Sequence, residues 1–221
     1  VSANVDAGFS IVSYTGNATS GATVGHGLSK APELILLKSR SAVTDFVVYS
    51  EAIGAGKFLR LSSHVAADTS SAVFNDTAPT SALFSLGNNS DPNGGSETYI
   101  AYCFHSVDGY SKVGSYTGNG STDGTFVYTG FRPKFVMVKN TTYSGAYWHI
   151  ADSKRLGYNV IGQFVFPNTS DAESNYTVEV LLDLTSNGFK WRGNYRHING
   201  SGDNIVFIAF AETPFKYSNA R

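Results

Sequence analysis

The chain is written in short apolar runs whose residues alternate with polar ones. Runs at 9–14, 33–38, 45–49, 58–61, 82–86 and 98–104 are rich in Val, Ile, Phe and Tyr and are bounded by Gly, Asn, Ser, Asp or Pro. A second set follows at 110–116, 125–128, 134–139, 146–150, 163–166, 176–182, 188–192 and 204–211. Alternation over four to eight residues between turn formers predicts half-buried β-strands. No stretch repeats apolar residues at i, i+3, i+4 and i+7 over three turns, so no long helix is expected, only a helical turn near 66–69 or 170–174. Many short strands at regular spacing point to an all-β protein of sandwich or jelly-roll-like design.

The pattern occurs twice. Ser13-Tyr14-Thr15-Gly16-Asn17 returns as Ser115-Tyr116-Thr117-Gly118-Asn119, 102 residues later. Ala31-Pro32-Glu33-Leu34-Ile35-Leu36-Leu37-Lys38 becomes Arg132-Pro133-Lys134-Phe135-Val136-Met137-Val138-Lys139 at a spacing of 101. Ile100-Ala101-Tyr102-Cys103 matches Ile208-Ala209-Phe210-Ala211 at 108, while pairing Cys103-Phe104 with Ala209-Phe210 gives 106. The two registers differ by two residues and keep the same faces inward, so both stand. Pro32 and Pro133 each sit at a strand entrance, where the missing N–H costs the ladder nothing. Order is kept and no Pro- or Ser-rich linker separates the halves. The expectation is two tandem, tightly packed pseudo-repeat β-sandwich units, residues 1–107 and 108–221, meeting near 107–109.

Composition changes this picture little. Charged residues make up 15% of the 221, against about 25% in a typical domain, so Ser, Thr, Asn and Gly must wet the surface. Net charge is -1 with no basic stripe, which disfavours nucleic acid. No apolar run approaches the roughly 20 residues of a membrane helix, and no signal peptide is visible. Beginning at Val1, the chain has the form expected of a processed chain or a fragment. Cys103 is the single cysteine, expected as a small buried hydrophobe.

Candidate chemistry is thin. His26, His64, His105, His149 and His197 show no metal-ligand spacing, and neither a nucleophile elbow nor a phosphate-binding Gly loop is present. No metal, cofactor or catalytic residue is therefore assigned, and the chain reads as a non-enzyme. A polysaccharide hydrolase would need two carboxylates about 5–10 Å apart in a groove. Asn89-Ser90-Asp91-Pro92-Asn93-Gly94 places oxygens at alternate positions as a calcium loop does, but Ile100 stands where the closing carboxylate belongs, and a Pro-containing turn explains the same residues. Eight Asn-x-Ser/Thr triplets, at Asn17, Asn75, Asn88, Asn119, Asn140, Asn168, Asn175 and Asn199, follow from loops made of these residue types.

Sugar contact is the remaining candidate. Trp191 alternates with Phe189 as Leu86 does with Phe84, which places it in the core. Trp148, read as the counterpart of Val47, is free of that argument. The segment 193–200 combines Tyr195, Arg196 and His197 with amides at a sheet end, where loops carry binding. It reads as a longer loop particular to the second copy. Tyr195, Arg196, His197 and Trp148 are the candidate ligand-binding residues, with a solvated connection as the plainer reading.

The phrases GFSIVSYTGN, TVGHGL, TAPTSALFSLG, YIAYCF, GYSKVGSYTGNGSTDGTFVYTGFRPKFVMVK and AFAETPFKYSNAR, in this order from Gly8 to Arg221, resemble a repeated β-rich domain of tail-fibre and other virion structural proteins of tailed phages, especially those of marine bacteria. The resemblance implies a non-enzymatic virion part, in a tail fibre or at an outer capsid site. It implies assembly with other virion proteins and with copies of itself as a trimer or higher, possible contact with host-surface glycans, and no membrane insertion. A lectin-like carbohydrate-binding module of an extracellular protein is the alternative.

Overall fold

A computed structural model describes residues 1–155 and 158–214. The described chain is all-β, with antiparallel sheets and three α-helical turns of four residues each. The end of the second predicted half, and of the last quoted phrase, lies past residue 214 and outside the described residues. The chain divides into two compact units, Val1–Ser62 with Ala67–Ser106, and Ser63–Ala66 with the chain from Val107 onward.

The first unit contains β1 (Ser2–Asn4), β2 (Phe9–Thr15), β3 (Ala22–Gly25), β4 (Leu34–Ser39), β5 (Val47–Ser50), β6 (Lys57–Arg60), β7 (Asp68–Thr69), β8 (Leu83–Leu86) and β9 (Thr98–Phe104), with helical turns α1 (Ser71–Phe74) and α2 (Ser90–Asn93). Its larger sheet runs β1-β2-β9-β4-β5-β6-β7 and its smaller one pairs β3 with β8. The second unit contains β10 (Ser111–Thr117), β11 (Phe126–Tyr128), β12 (Pro133–Asn140), β13 (His149–Asp152), β14 (Gln163–Phe164), β15 (Ser174–Asn175), β16 (Leu182–Thr185), β17 (Gly188–Trp191) and β18 (Asn204–Ala211), with α3 (Arg196–Asn199). Here the sheets are β10-β18-β12-β13, β11-β17-β16 and β14-β15.

The order β2-β9-β4-β5 of the first unit is the order β10-β18-β12-β13 of the second. Alternation drives this arrangement. In β9, Tyr99, Ala101 and Cys103 are buried while the residues between them are less so. In each unit more than one sheet contributes to one core, Val12, Ile35, Leu37 and Ala101 with Phe84 and Leu86 in the first, and Val136, Val138 and Phe207 with Val127, Phe189 and Trp191 in the second.

Strand pairing decides the register that the sequence leaves open. Tyr14 faces Tyr99 and Tyr116 faces Ile205; Leu37 faces Ala101 and Val138 faces Phe207. Both pairs give 106, so the Ile-Ala-aromatic match at 108 is a slip of two along a strand of uniform character. Cys103 is thus equivalent to Ala209, is fully buried, and has its thiol pushed up to about 12 by burial.

Four further corrections follow. Leu37 faces Val47 and Val138 faces His149, so the counterpart of Val47 is His149 and not Trp148. The segment from Gly193 to Gly200 matches that from Gly87 to Gly94 residue for residue, so it is no longer than its counterpart; the second unit differs instead between β13 and β17, where β14, β15 and β16 replace β6, β7 and α1. Strands predicted at 146–150 and 176–182 begin later, at His149 and Leu182. The Trp148 N–H donates to the Asn168 side chain rather than to a neighbouring strand, and the chain turns over Gly193, where Tyr195 N–H donates to the Glu179 carbonyl. The helical turn expected near 66–69 is strand β7 at its end, and that near 170–174 has no helical residues.

The repeated Ser-Tyr-Thr-Gly-Asn phrase has a structural cause. The Tyr14 hydroxyl donates to the Pro92 carbonyl at 2.6 Å and Tyr116 to the Ile198 carbonyl at 2.7 Å. Burial holds both phenols well above their usual range, so both remain donors. A Cβ on Gly16 would stand 2.2 Å from the Gly94 carbonyl oxygen, and one on Gly118 the same distance from that of Gly200. Asn17 and Asn119 then meet buried asparagines. Asn93 Oδ1 accepts from Asn17 N–H at 2.9 Å while its amide donates to the carbonyls of Gly87 (2.7 Å) and Thr19 (3.1 Å). Asn199 Oδ1 accepts from Asn119 N–H at 3.0 Å and its amide donates to those of Gly193 (3.0 Å) and Ser121 (2.9 Å).

Candidate functional site

Sequence reasoning singled out Tyr195, Arg196, His197 and Trp148. The first three lie on and just before α3, which is anchored from several sides. Tyr116 and the Asn199 amide hold its end, and Asn140, fully buried, donates to the Arg196 carbonyl at 2.8 Å and to Asp203 at 3.0 Å. Asp203 also accepts from Arg196 Nε at 3.1 Å. The segment is therefore a keystone of the sheet end rather than a solvated connection, and His197, Ile198 and Asn199 are buried. Trp148 is 2% exposed and offers no face to a sugar. It follows β12 and immediately precedes β13, and its ring is buried although the buried His149 stands next to it.

What gathers around His197 was not foreseen. Its ring lies 4.2 Å from Tyr195, 5.6 Å from Tyr147, 5.8 Å from Tyr143 and 5.8 Å from His149, centroid to centroid. His149 sits edge-on to Phe166 at 4.9 Å. Lys139, fully buried, donates its Nζ to the Ala146 carbonyl. Arg196 covers the Tyr143 ring at 4.2 Å. The two histidines are 48 positions apart in sequence, so no motif scan finds them; the one legible signal is that β13 carries His where β5 carries Val.

Burial lowers the His149 imidazole to about 3, with His197 and Lys139 adding to the effect against a backbone hydrogen bond to Tyr147. It lowers His197 to about 4, again with Lys139 contributing. Lys139 falls to about 8 through burial. A carbonyl only accepts, so His149 Nδ1, 3.0 Å from the Tyr147 carbonyl, carries the proton. His149 Nε2 and His197 Nδ1 are buried without hydrogen-bond partners. At neutral pH the pair is uncharged and weakly basic, which suits packing better than proton transfer. Among the described residues no three His, Cys, Asp or Glu side chains are grouped to hold a metal.

The loop weighed for calcium has its oxygens employed inside the fold. Asn89 Oδ1 caps α2 by accepting from Asp91 N–H at 2.7 Å, Asp91 accepts from Asp45 N–H at 3.3 Å, and Asn93 forms the clamp described above. Two of the Asn-x-Ser/Thr triplets, at Asn140 and Asn199, have fully buried side chains that are bonded within the fold. Among the described residues no helix is long and apolar enough to cross a membrane.

Fold and site together describe an all-β chain whose two units share one pairing order, with an aromatic-histidine cluster in the second. Residues 1–214 match the model of the family described as domain of unknown function (DUF7483), and the chain belongs to that family. No curated protein and no solved structure matches it.

Proposed function

We propose that the chain is a non-enzymatic structural and interaction module of a phage virion, in a tail fibre or at an outer capsid site, contacting host-surface glycans or neighbouring virion proteins. In this reading each unit is a sandwich-like scaffold of two facing sheets. The observation that supports it most is where the two units agree and where they differ. Both repeat the Tyr-Gly-Asn clamp to within a few tenths of an ångström. The second alone adds Tyr143, Tyr147, Tyr195 and Arg196 around a buried His-Lys centre. A rigid frame with aromatic and amide surface suits recognition, and the phrase-level resemblance points to the particle.

Electron microscopy of intact particles with a labelled antibody tests the location: decoration of a tail fibre or capsid is expected, and unlabelled particles overturn it. Light scattering should give a mass of three chains or more. A lectin-like module of an extracellular protein is the second reading, favoured by the same aromatic rim. It would bind glycan as a monomer and leave particles unlabelled.

A further inference from the structure

The small sheet of the second unit carries aromatic side chains that its core does not use. In β11, Val127 points inward and is 6% exposed, while Phe126 and Tyr128 on either side are 44% and 66% exposed. Phe126 faces Lys190 in register and Tyr128 faces Gly188. A Cβ on Gly188 would come within 3.1 Å of the Phe126 ring, and one on Gly130 within 3.7 Å of the Tyr128 hydroxyl and 3.9 Å of its ring. Each ring thus lies near a glycine and is partly exposed to solvent.

The fold does not require these rings. Val24 in β3 pairs with Phe84 as Val127 pairs with Phe189, so Thr23 and Gly25 stand where the second unit has Phe126 and Tyr128. The first unit pairs the equivalent strands with no aromatic on that face. Covering a sheet glycine accounts for Phe126, but it leaves the more exposed Tyr128 unexplained. Exposed apolar patches of this kind mark contact sites.

The surroundings select the partner. Lys190 binds Asp123 at 2.8 Å, Arg192 binds Asp183 at 2.6 Å, and Arg192 also reaches Asp123 at 3.7 Å. Two cations and two carboxylates cancel, so a charged partner finds no net attraction here. Fully exposed, two aromatic side chains would offer roughly 300–500 Å²; at 44% and 66% exposure these offer less, short of even one partner's share of the roughly 1,000 Å² that a stable protein interface buries over both sides. A partner that is uncharged, has an apolar C–H face for each ring and carries hydroxyls for the surrounding ion pairs is a neutral pyranose chain.

We propose that the outward face of β11 and β17 is a glycan-binding platform, on which Phe126 and Tyr128 stack against neighbouring neutral sugars while Lys190, Arg192, Asp123 and Asp183 bind their hydroxyls. The proposal deepens the function given above and rests on its glycan-contact branch, but it assigns that contact to a different surface from the one around Tyr195.

An array of immobilised neutral gluco-, galacto- and manno-oligosaccharides, with uronic and sulfated analogues beside them, tests it on the intact chain. Retention of at least one neutral series is expected, unchanged between low and high salt because the rim carries no net charge. Phe126→Ala and Tyr128→Ala should each weaken it about tenfold, with Tyr128→Trp restoring it. Both positions are exposed, so thermal melting within about 2 °C of the unsubstituted chain should confirm intact folding. Retention lost on Tyr195→Ala but kept in both β11 variants overturns the platform and leaves the glycan reading standing. Binding confined to the anionic glycans, or none at all, overturns the platform, while antibody labelling of particles decides the virion reading independently.

Discussion

Asn93 and Asn199 are the residues on which each unit turns. Each joins a helical turn to the Gly-Asn end of a strand 76 or 80 positions away by two bonds to Asn17 or Asn119, and two further bonds to backbone carbonyls complete a set that no other side chain of that size reproduces. Truncating either leaves buried groups unpaired at about 1–3 kcal/mol apiece. Asn199→Ala should therefore lower the denaturant midpoint as much as Asn93→Ala does, and an unchanged midpoint for either would remove the clamp from the account. Lys139 makes a separate prediction. Its ammonium is lowered to about 8 in the folded chain, from about 10.4 when unfolded. Between these values the unfolded state holds more protons, so stability rises with pH from about 8 to 10. Melting across that range should show the rise, and Lys139→Met should remove that share of it. The repeated phrase was legible as a repeat. Its partners were not, because a single Asn in a Gly-rich loop looks like any turn residue until the chain closes around it.

Among the elements, β12 is the most exacting. Val136 and Val138 face the core while Phe135 is half-buried against Phe210 at 6.0 Å. Val136→Asp should unfold the second unit, since an unpaired buried charge costs several kcal/mol or more, whereas Phe135→Asp should cost less; circular dichroism melts would separate the two. The start of β13 and the start of α3 set the acid response. Both histidines are lowered in the folded chain, to about 3 and about 4. As pH falls below about 6.5 the unfolded state gains protons that the folded state refuses, so stability is lost from there down to the folded values, by about 1.4 kcal/mol per pH unit for each site. His149→Phe should flatten the slope between pH 6 and 4, and an identical slope would place the histidines elsewhere. Elements set by alternation were readable: β9 and β18 fall where the sequence puts them. The helical turns α2 and α3 were not, because four residues carry no helical period and both turns are held by groups distant in the chain.

At the scale of the molecule, the expected mass of three or more chains, the particle labelling and the glycan array bear on whether a doubled scaffold serves assembly, recognition or both. The sequence by itself determined that the chain is all-β and that its pattern occurs twice, because strand alternation and turn residues act over a few positions and survive duplication. It also placed Trp191 in the core, since alternation with Phe189 leaves it no other face. Only the tertiary structure decided the rest. Strand pairing chose a spacing of 106 over 108, which parity cannot separate. Closure of the second unit brought His149 and His197 within 5.8 Å, and Trp148 is buried in the folded chain. The same closure left Phe126 and Tyr128 outside, on a strand that the first unit builds with Thr and Gly. Which aromatic is core and which is surface depends on what lies across the sheet, and that is fixed only when residues far apart in the chain meet.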